Sequence, residues 1–207
     1  MVKRAYDASG RQERARRQHA TVLEVARALF LERGFADTTV DFIAESAGVS
    51  AATIYKSYGG KAGLVRTLCA QALEGRGPVP AEERSNALRT SGNARAVVEG
   101  WSKLAAEVSP RVSPLMLLLR AAAESDPEAA ALYEEVDRAR LHRMADNARF
   151  LVESGQLKAG VTMRDARDVL WLVTSPEIYD LLIRRRRWSL PKFSRFVADT
   201  MAGALLG

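Results

Sequence analysis

Thr38-Thr39-Val40-Asp41-Phe42-Ile43-Ala44-Glu45-Ser46-Ala47-Gly48-Val49-Ser50-Ala51-Ala52-Thr53-Ile54-Tyr55-Lys56-Ser57-Tyr58-Gly59-Gly60-Lys61 reads as two short helices joined by a glycine turn. Ile43 and Ala47, four residues apart, give the first helix one apolar face, and Ala44 is small enough for a second helix to cross closely. Gly48 supplies the left-handed turn that a residue with a Cβ resists. Val49 plugs the core beneath that turn, Ser50 caps the second helix, and Ile54 anchors it inward. With Ile54 held inward, Ala51, Thr53, Lys56 and Ser57 are aimed outward, as in a helix that meets the DNA major groove. The stretch is a helix-turn-helix, and it predicts duplex DNA as a partner.

Outward from this motif the chain reads as helical nearly throughout. Val22, Ala26, Leu29 and Phe30 form the stripe of a first helix that Gly34 ends, with Phe35 folding back on it. Thr38 and Asp41 fit a capping box for the next helix. Lys61 opens a longer one, with Leu64, Val65, Leu68 and Leu73 as its inward residues. Gly75-Arg76-Gly77-Pro78-Val79-Pro80 interrupts the pattern, so residues 1–77 are read as an arm plus a DNA-binding domain and residues 78–207 as a second helical domain. In the latter, helical spacing covers about 93–108, 114–124, 127–153, 163–186 and 190–206. Asp126 caps a helix that Pro127 opens, Gly155 and Gly160 interrupt, Ser189 caps the last helix, and Ser175-Pro176 predicts a kink rather than an end.

Composition sets the outer bounds. The chain has 207 residues, 47% hydrophobic and 27% charged, and this excludes a disordered chain. Its longest apolar runs, such as Leu115–Leu119, are too short to span a bilayer, and Met1-Val2-Lys3-Arg4 has no apolar stretch behind it. Cys69 is the single cysteine, so an internal disulfide is excluded and a cytoplasmic location is expected. The net charge of +6 is unevenly spread: Lys3, Arg4, Arg11, Arg14, Arg16 and Arg17 face only Asp7 and Glu13, whereas residues 21–77 balance. A basic arm of this kind suits phosphate neutralisation, and a solubilising tail is the other reading. His19 and His142 have no partner at metal-ligand spacing or beside a nucleophile, and no phosphate loop is visible. Neither an enzyme, a metal site nor a cofactor is expected.

The motif residues resemble those of the tetracycline-repressor (TetR) family of transcriptional regulators. Leu29-Phe30, Gly34-Phe35, Thr38-Thr39, Ile43-Ala44, Ala47-Gly48-Val49-Ser50, Thr53-Ile54-Tyr55, Tyr58 and Lys61 stand where that family places such residues. Gly59-Gly60 departs from it, since members more often carry a proline or polar residue before the lysine. The resemblance implies an all-α homodimer, with N-terminal three-helix domains on successive major grooves and C-terminal domains that pair and enclose a small molecule. It makes Thr39, Thr53, Tyr55 and Lys61 phosphate contacts, and Ser50, Ala51, Lys56 and Ser57 base-facing residues, with Lys56 suited to guanine and Ala51 to a thymine methyl. Tyr58 is read as core.

For the effector, apolar Trp101, Leu104, Met116, Leu117 and Trp171, with polar Arg120, Glu124, Tyr133 and Asn147, are the candidate walls of a pocket for a mainly apolar organic molecule. Trp101 and Trp171 could equally fill the core, to which Trp188 is assigned. The apolar side chains Leu170, Val173, Leu181 and Leu182, with Phe193, Phe196, Val197, Met201 and Leu205, are the candidate pairing surface. Arg184 to Arg187 reads as a solvated helix end. The function expected is a ligand-released repressor on a palindromic operator. The alternative is an architectural or partner-binding DNA protein without an effector.

Overall fold

A computed structural model describes residues 8–207, the side chains of residues 8, 9, 11 and 91 excepted. Among the described residues every regular element is helical: α1 Ala8–Arg33, α2 Val40–Ala47, α3 Ala51–Tyr58, α4 Lys61–Glu74, α5 Ala81–Leu88, α6 Ala94–Ala122, α7 Pro127–Glu153, α8 Met163–Val173, α9 Pro176–Tyr179 and α10 Leu190–Leu205. A single bridge pairs Leu157 with Leu206, so the fold is all-α. Contacts divide the chain into two compact units at Leu68–Cys69, inside α4 rather than at the glycine-proline stretch.

The first unit closes on the inner faces of α1 to α4. Val22, Leu23, Ala26 and Phe30 of α1 meet Phe35, Val40, Ile43, Ala44, Ile54, Leu64, Val65 and Leu68, all buried. Gly34 stops α1 at φ +86°, its N–H bonded to the Phe30 carbonyl at 3.0 Å, and Phe35 stacks on Phe30 with centroids 5.8 Å apart. From Ala8 onward the basic segment read as an arm is part of α1; Lys3, Arg4 and Asp7 lie outside the described residues, as does the Arg11 side chain. The cap of α2 is Thr39, not Thr38. Fully buried Thr38 points its hydroxyl at the Gly34 and Leu29 carbonyls (2.7 and 3.3 Å), satisfying the end of α1, so the next threonine accepts from Phe42 N.

In the second unit α10 packs on α6 and α7 packs on α8. Val97, Val98 and Trp101 of α6, Leu151 of α7, Leu170 and Val173 of α8, and Phe193, Val197, Met201 and Leu205 of α10 form one core. This corrects the expected pairing surface: Leu170, Val173, Phe193, Val197, Met201 and Leu205 are at most 5% exposed and are consumed inside the chain.

Three further expectations are corrected. The gap placed near residues 109–113 does not exist; α6 runs unbroken through Pro110 and Pro114, because Ser109, Val112, Leu115, Met116 and Leu119 keep one face buried and outweigh the two N–H groups that proline removes. At Ser175-Pro176 the chain ends one helix and starts another: Thr174 leaves helical geometry, and extended Ser175 caps α9 by accepting from Ile178 N, with Pro176 at its first turn. A π-helical turn, Asp180–Arg185, continues from α9. Leu73 is 47% exposed, while Cys69 and Ala72, in step with Val65 and Leu68, take the inward face of α4.

Helix α5, and the 3₁₀ turn Arg89–Ser91 after it, were not foreseen. Their sequence is mostly polar, and in α5 only Ala81 and Ser85 are buried. The helix is held instead by side-chain bonds. Glu107 of α6 accepts from both terminal nitrogens of Arg84 (2.7 and 2.9 Å) and from Arg76 N at 2.6 Å, and Trp101 donates Nε1–H to the Ser85 carbonyl at 3.3 Å. The Arg84 guanidinium holds the Glu107 carboxyl down to about 2. At Gly75, φ +86°, a Cβ would lie 2.6 Å from the Glu107 carboxylate.

Candidate nucleic-acid interface

The geometry of α3 follows from its two ends. Ser50, in extended backbone, accepts from Thr53 N through its side chain at 3.2 Å, and its hydroxyl lies 2.9 Å from the Thr53 hydroxyl. At the other end Gly59 and Gly60 take φ +80° and +125°, a pair of left-handed steps that side chains with a Cβ resist. This accounts for the unusual dipeptide, and α4 starts at Lys61 as read from the sequence. Gly48, at φ +66°, makes the turn between α2 and α3, its N–H reaching the last carbonyls of α2.

Between these ends α3 buries Ile54 completely and turns its other side to solvent. Ala52, Tyr55, Lys56 and Ser57 are exposed, Tyr55 by 56%, while Ala51 and Thr53 are half-buried at the helix edge. The structure therefore brings Ser50, Ala51, Thr53, Tyr55, Lys56 and Ser57 together on one short helix. Sequence reasoning missed Ala52, which the four-residue spacing to Lys56 places most nearly opposite Ile54. Thr39 is exposed at the start of α2; its oxygen accepts from Phe42 N, which leaves its O–H free to donate.

Two nominated residues have further roles. Lys61 Nζ donates to the Phe35 carbonyl at 3.0 Å and stands 4.4 Å from the Phe35 ring centroid, so its ammonium is anchored within the unit and keeps two donors beyond that bond. Tyr58 is half-buried, as a core reading requires, but its hydroxyl meets His19 Nδ1 at 2.9 Å. Burial pushes the Tyr58 phenol up from its ordinary range.

The effector candidates are not gathered in one place. Leu117, Arg120 and Glu124 line an open cleft of about 380 Å³ with Ala121, Glu177, Asp180, Leu181 and Arg185. Arg120 pairs there with Glu177, and Asp180 with Arg184 and Arg185. Trp101 is core, set edge-on to Phe150 at 6.1 Å. Met116 and Tyr133 pack with Ala72, Val112 and Val136. Buried Asn147 accepts from Arg89 at 2.6 Å, and Leu104 is half-buried. Half-buried Trp171 donates to Asp137 at 3.2 Å beneath the Arg140 guanidinium. Trp188 is half-buried, edge-on to Phe196 at 5.7 Å. No helix of the described residues is long and apolar enough to cross a membrane.

A capped, outward-facing helix behind a glycine turn defines a helix-turn-helix DNA-binding protein. The family model for bacterial regulatory proteins of the tetR family matches residues 22–68, the segment that builds this unit. Over 171 residues the chain is 31% identical to the HTH-type transcriptional regulator YdeS of Bacillus subtilis (strain 168), covering 80% of this chain and 78% of that protein. Among solved structures, NalD, the secondary repressor of the MexAB-OprM multidrug efflux pump in Pseudomonas aeruginosa, superposes with a TM-score of 0.72 at 20% identity, over 94% of this chain and 98% of that one. SmeT in complex with triclosan gives 0.71 at 18% identity, over 92% of each chain. The chain belongs to the TetR family of transcriptional regulators, a family of DNA-binding proteins rather than enzymes.

Proposed function

We propose that this regulator binds a palindromic operator as a homodimer, acts as a repressor, and is released by a small, mainly apolar organic molecule. The observation that carries the DNA part is α3 itself, a rigid eight-residue helix with Ile54 sealed inward and Tyr55, Lys56 and Ser57 facing solvent. Ser50, Ala51 and Thr53 complete the contact surface at its leading edge, Thr39 adds to it from the start of α2, and Lys61 supports it from the start of α4. The effector part is supported by the descriptions of NalD as a repressor of an efflux pump and of SmeT bound to triclosan, and by the cleft beside Leu117, Arg120 and Glu124, whose volume suits a small organic molecule. The packing of Trp101, Met116 and Asn147 within the second unit favours the architectural reading, in which no effector is needed.

Footprinting on the promoter regions of neighbouring genes, followed by binding of Lys56→Ala to the protected site, tests the DNA part. Loss of preference at one base pair in each half-site, worth about 1–3 kcal/mol, is expected. A uniform loss across all sequences would remove Lys56 as a base reader. For the effector, a thermal-shift screen followed by operator competition should find a compound that lowers operator affinity while operator DNA weakens the compound equally. A tight binder without that reciprocity would establish the architectural alternative.

A further inference from the structure

The first turns of α1 stand clear of the core. Residues 14–21 are all exposed, and the inward stripe begins only at Val22 and Leu23. His19 nonetheless touches another element, its ring set edge-on to Tyr58 with centroids 5.5 Å apart. Tyr58 is the last residue of α3, the helix that carries Tyr55, Lys56 and Ser57 outward.

The Tyr58 contact engages Nδ1 and leaves Nε2 as the outer end of the imidazole. Tyr58 keeps its O–H proton at neutral pH, as a phenol ordinarily does, and burial pushes its pKa further up. Its oxygen lies 2.9 Å from His19 Nδ1 and 3.5 Å from the His19 carbonyl oxygen. In the tautomer in which Tyr58 donates to Nδ1, the ring proton sits on Nε2 and is offered to solvent. Arg16, one turn earlier on the same helix face, has 77% of its side chain exposed; it and Arg17 share the single carboxylate of Glu13. An eight-residue helix is about 12 Å long, close to the roughly 12 Å width of the major groove, so groups at its two ends reach the backbone on either side. Ser50 and Thr53 stand at the leading end of α3, whereas His19, against Tyr58, stands at the trailing end.

We propose that His19 contacts a backbone phosphate of duplex DNA through Nε2, with Tyr58 as its positioning residue and Arg16 extending the same edge. The inference rests on the reading of α3 as the groove-reading helix. A phosphate is the ligand because this edge is cationic and lies beside the reading helix rather than on it, and such contacts orient a protein without reading sequence.

The test uses the full chain and a duplex of arbitrary sequence about three helical turns long, at low salt, with thermal melting of each variant. His19→Ala should weaken binding about fivefold, His19→Lys should restore it, and Tyr58→Phe should weaken the wild type but add nothing in the His19→Ala background. Wild-type protein that binds no duplex would overturn the reading of α3. Wild-type binding matched by a folded His19→Ala variant would overturn this inference alone. A further loss from Tyr58→Phe in the His19→Ala background would remove Tyr58 as the positioning residue. Should His19→Ala melt early, His19→Lys decides: retained affinity supports the contact and lost affinity overturns it.

Discussion

Gly63 shows how closely the DNA-reading unit is fitted at single residues. It lies in the first turn of α4, where a Cβ would overlap the Tyr58 carbonyl oxygen and come within 2.7 Å of its carbonyl carbon. Alanine is ordinarily the better helix former by up to about 1 kcal/mol, yet here the obstacle is backbone, which cannot swing aside as a side chain does. Gly63→Ala is expected to destabilise the unit by about 2 kcal/mol or more and to lower DNA affinity by displacing the end of α3. Thermal melting and duplex binding check it, and a variant as stable as the wild type would show that the two helices can separate. Nothing in the sequence marks Gly63 as different from other glycines, because its constraint comes from a neighbouring helix end. Gly48, by contrast, was legible, since the turn that needs it is local.

Among the elements, legibility followed the kind of force that holds each one. Helices α1 to α4 and α7 announce themselves through an apolar stripe with a cap or stop, which sequence records directly. Helix α5 is polar and is held by Glu107 and Trp101 from a distant helix, so no local pattern reveals it. The two prolines of α6 argue locally for a break that burial overrides, whereas at Ser175-Pro176 capping wins and the helix restarts. Of the interface, the outward face of α3 was readable from Ile54 alone; the effector residues were not, since apolar side chains on amphipathic helices look alike whether they line a cleft or a core.

The Glu107 clasp on α5 also carries a pH signature. Its folded carboxyl titrates near 2 against an ordinary 4.5. The folded value is depressed, so the stability it contributes is present above about 4.5 and is lost as pH falls from there toward 2. Glu107→Gln should cost about 2–3 kcal/mol at neutral pH and flatten the acid limb of a stability-against-pH curve. Denaturant melts across that range check it; an unchanged acid limb would mean that Arg84 binds no tighter when folded.

At the scale of the whole molecule, core formation has used most of the apolar residues of α8 and α10, which narrows how two copies can meet. Leu172 and Leu181 are 54% and 47% exposed, and Leu182 and Phe196 are half-buried. Pairing through these side chains is the expectation, and the double variant Leu172→Glu, Leu181→Glu should sediment as a folded monomer with much weaker operator binding. A dimer that survives both charges would place the interface elsewhere. The partition of labour within α3 reaches further. Its inward residue and flanking glycines set the frame, while Ala52, Tyr55, Lys56 and Ser57 are exposed and lie outside the buried core. Such a helix can accumulate changes in its outer side chains at little thermodynamic penalty, so duplicated copies of this gene could drift toward new target sites without passing through an unfolded intermediate sequence.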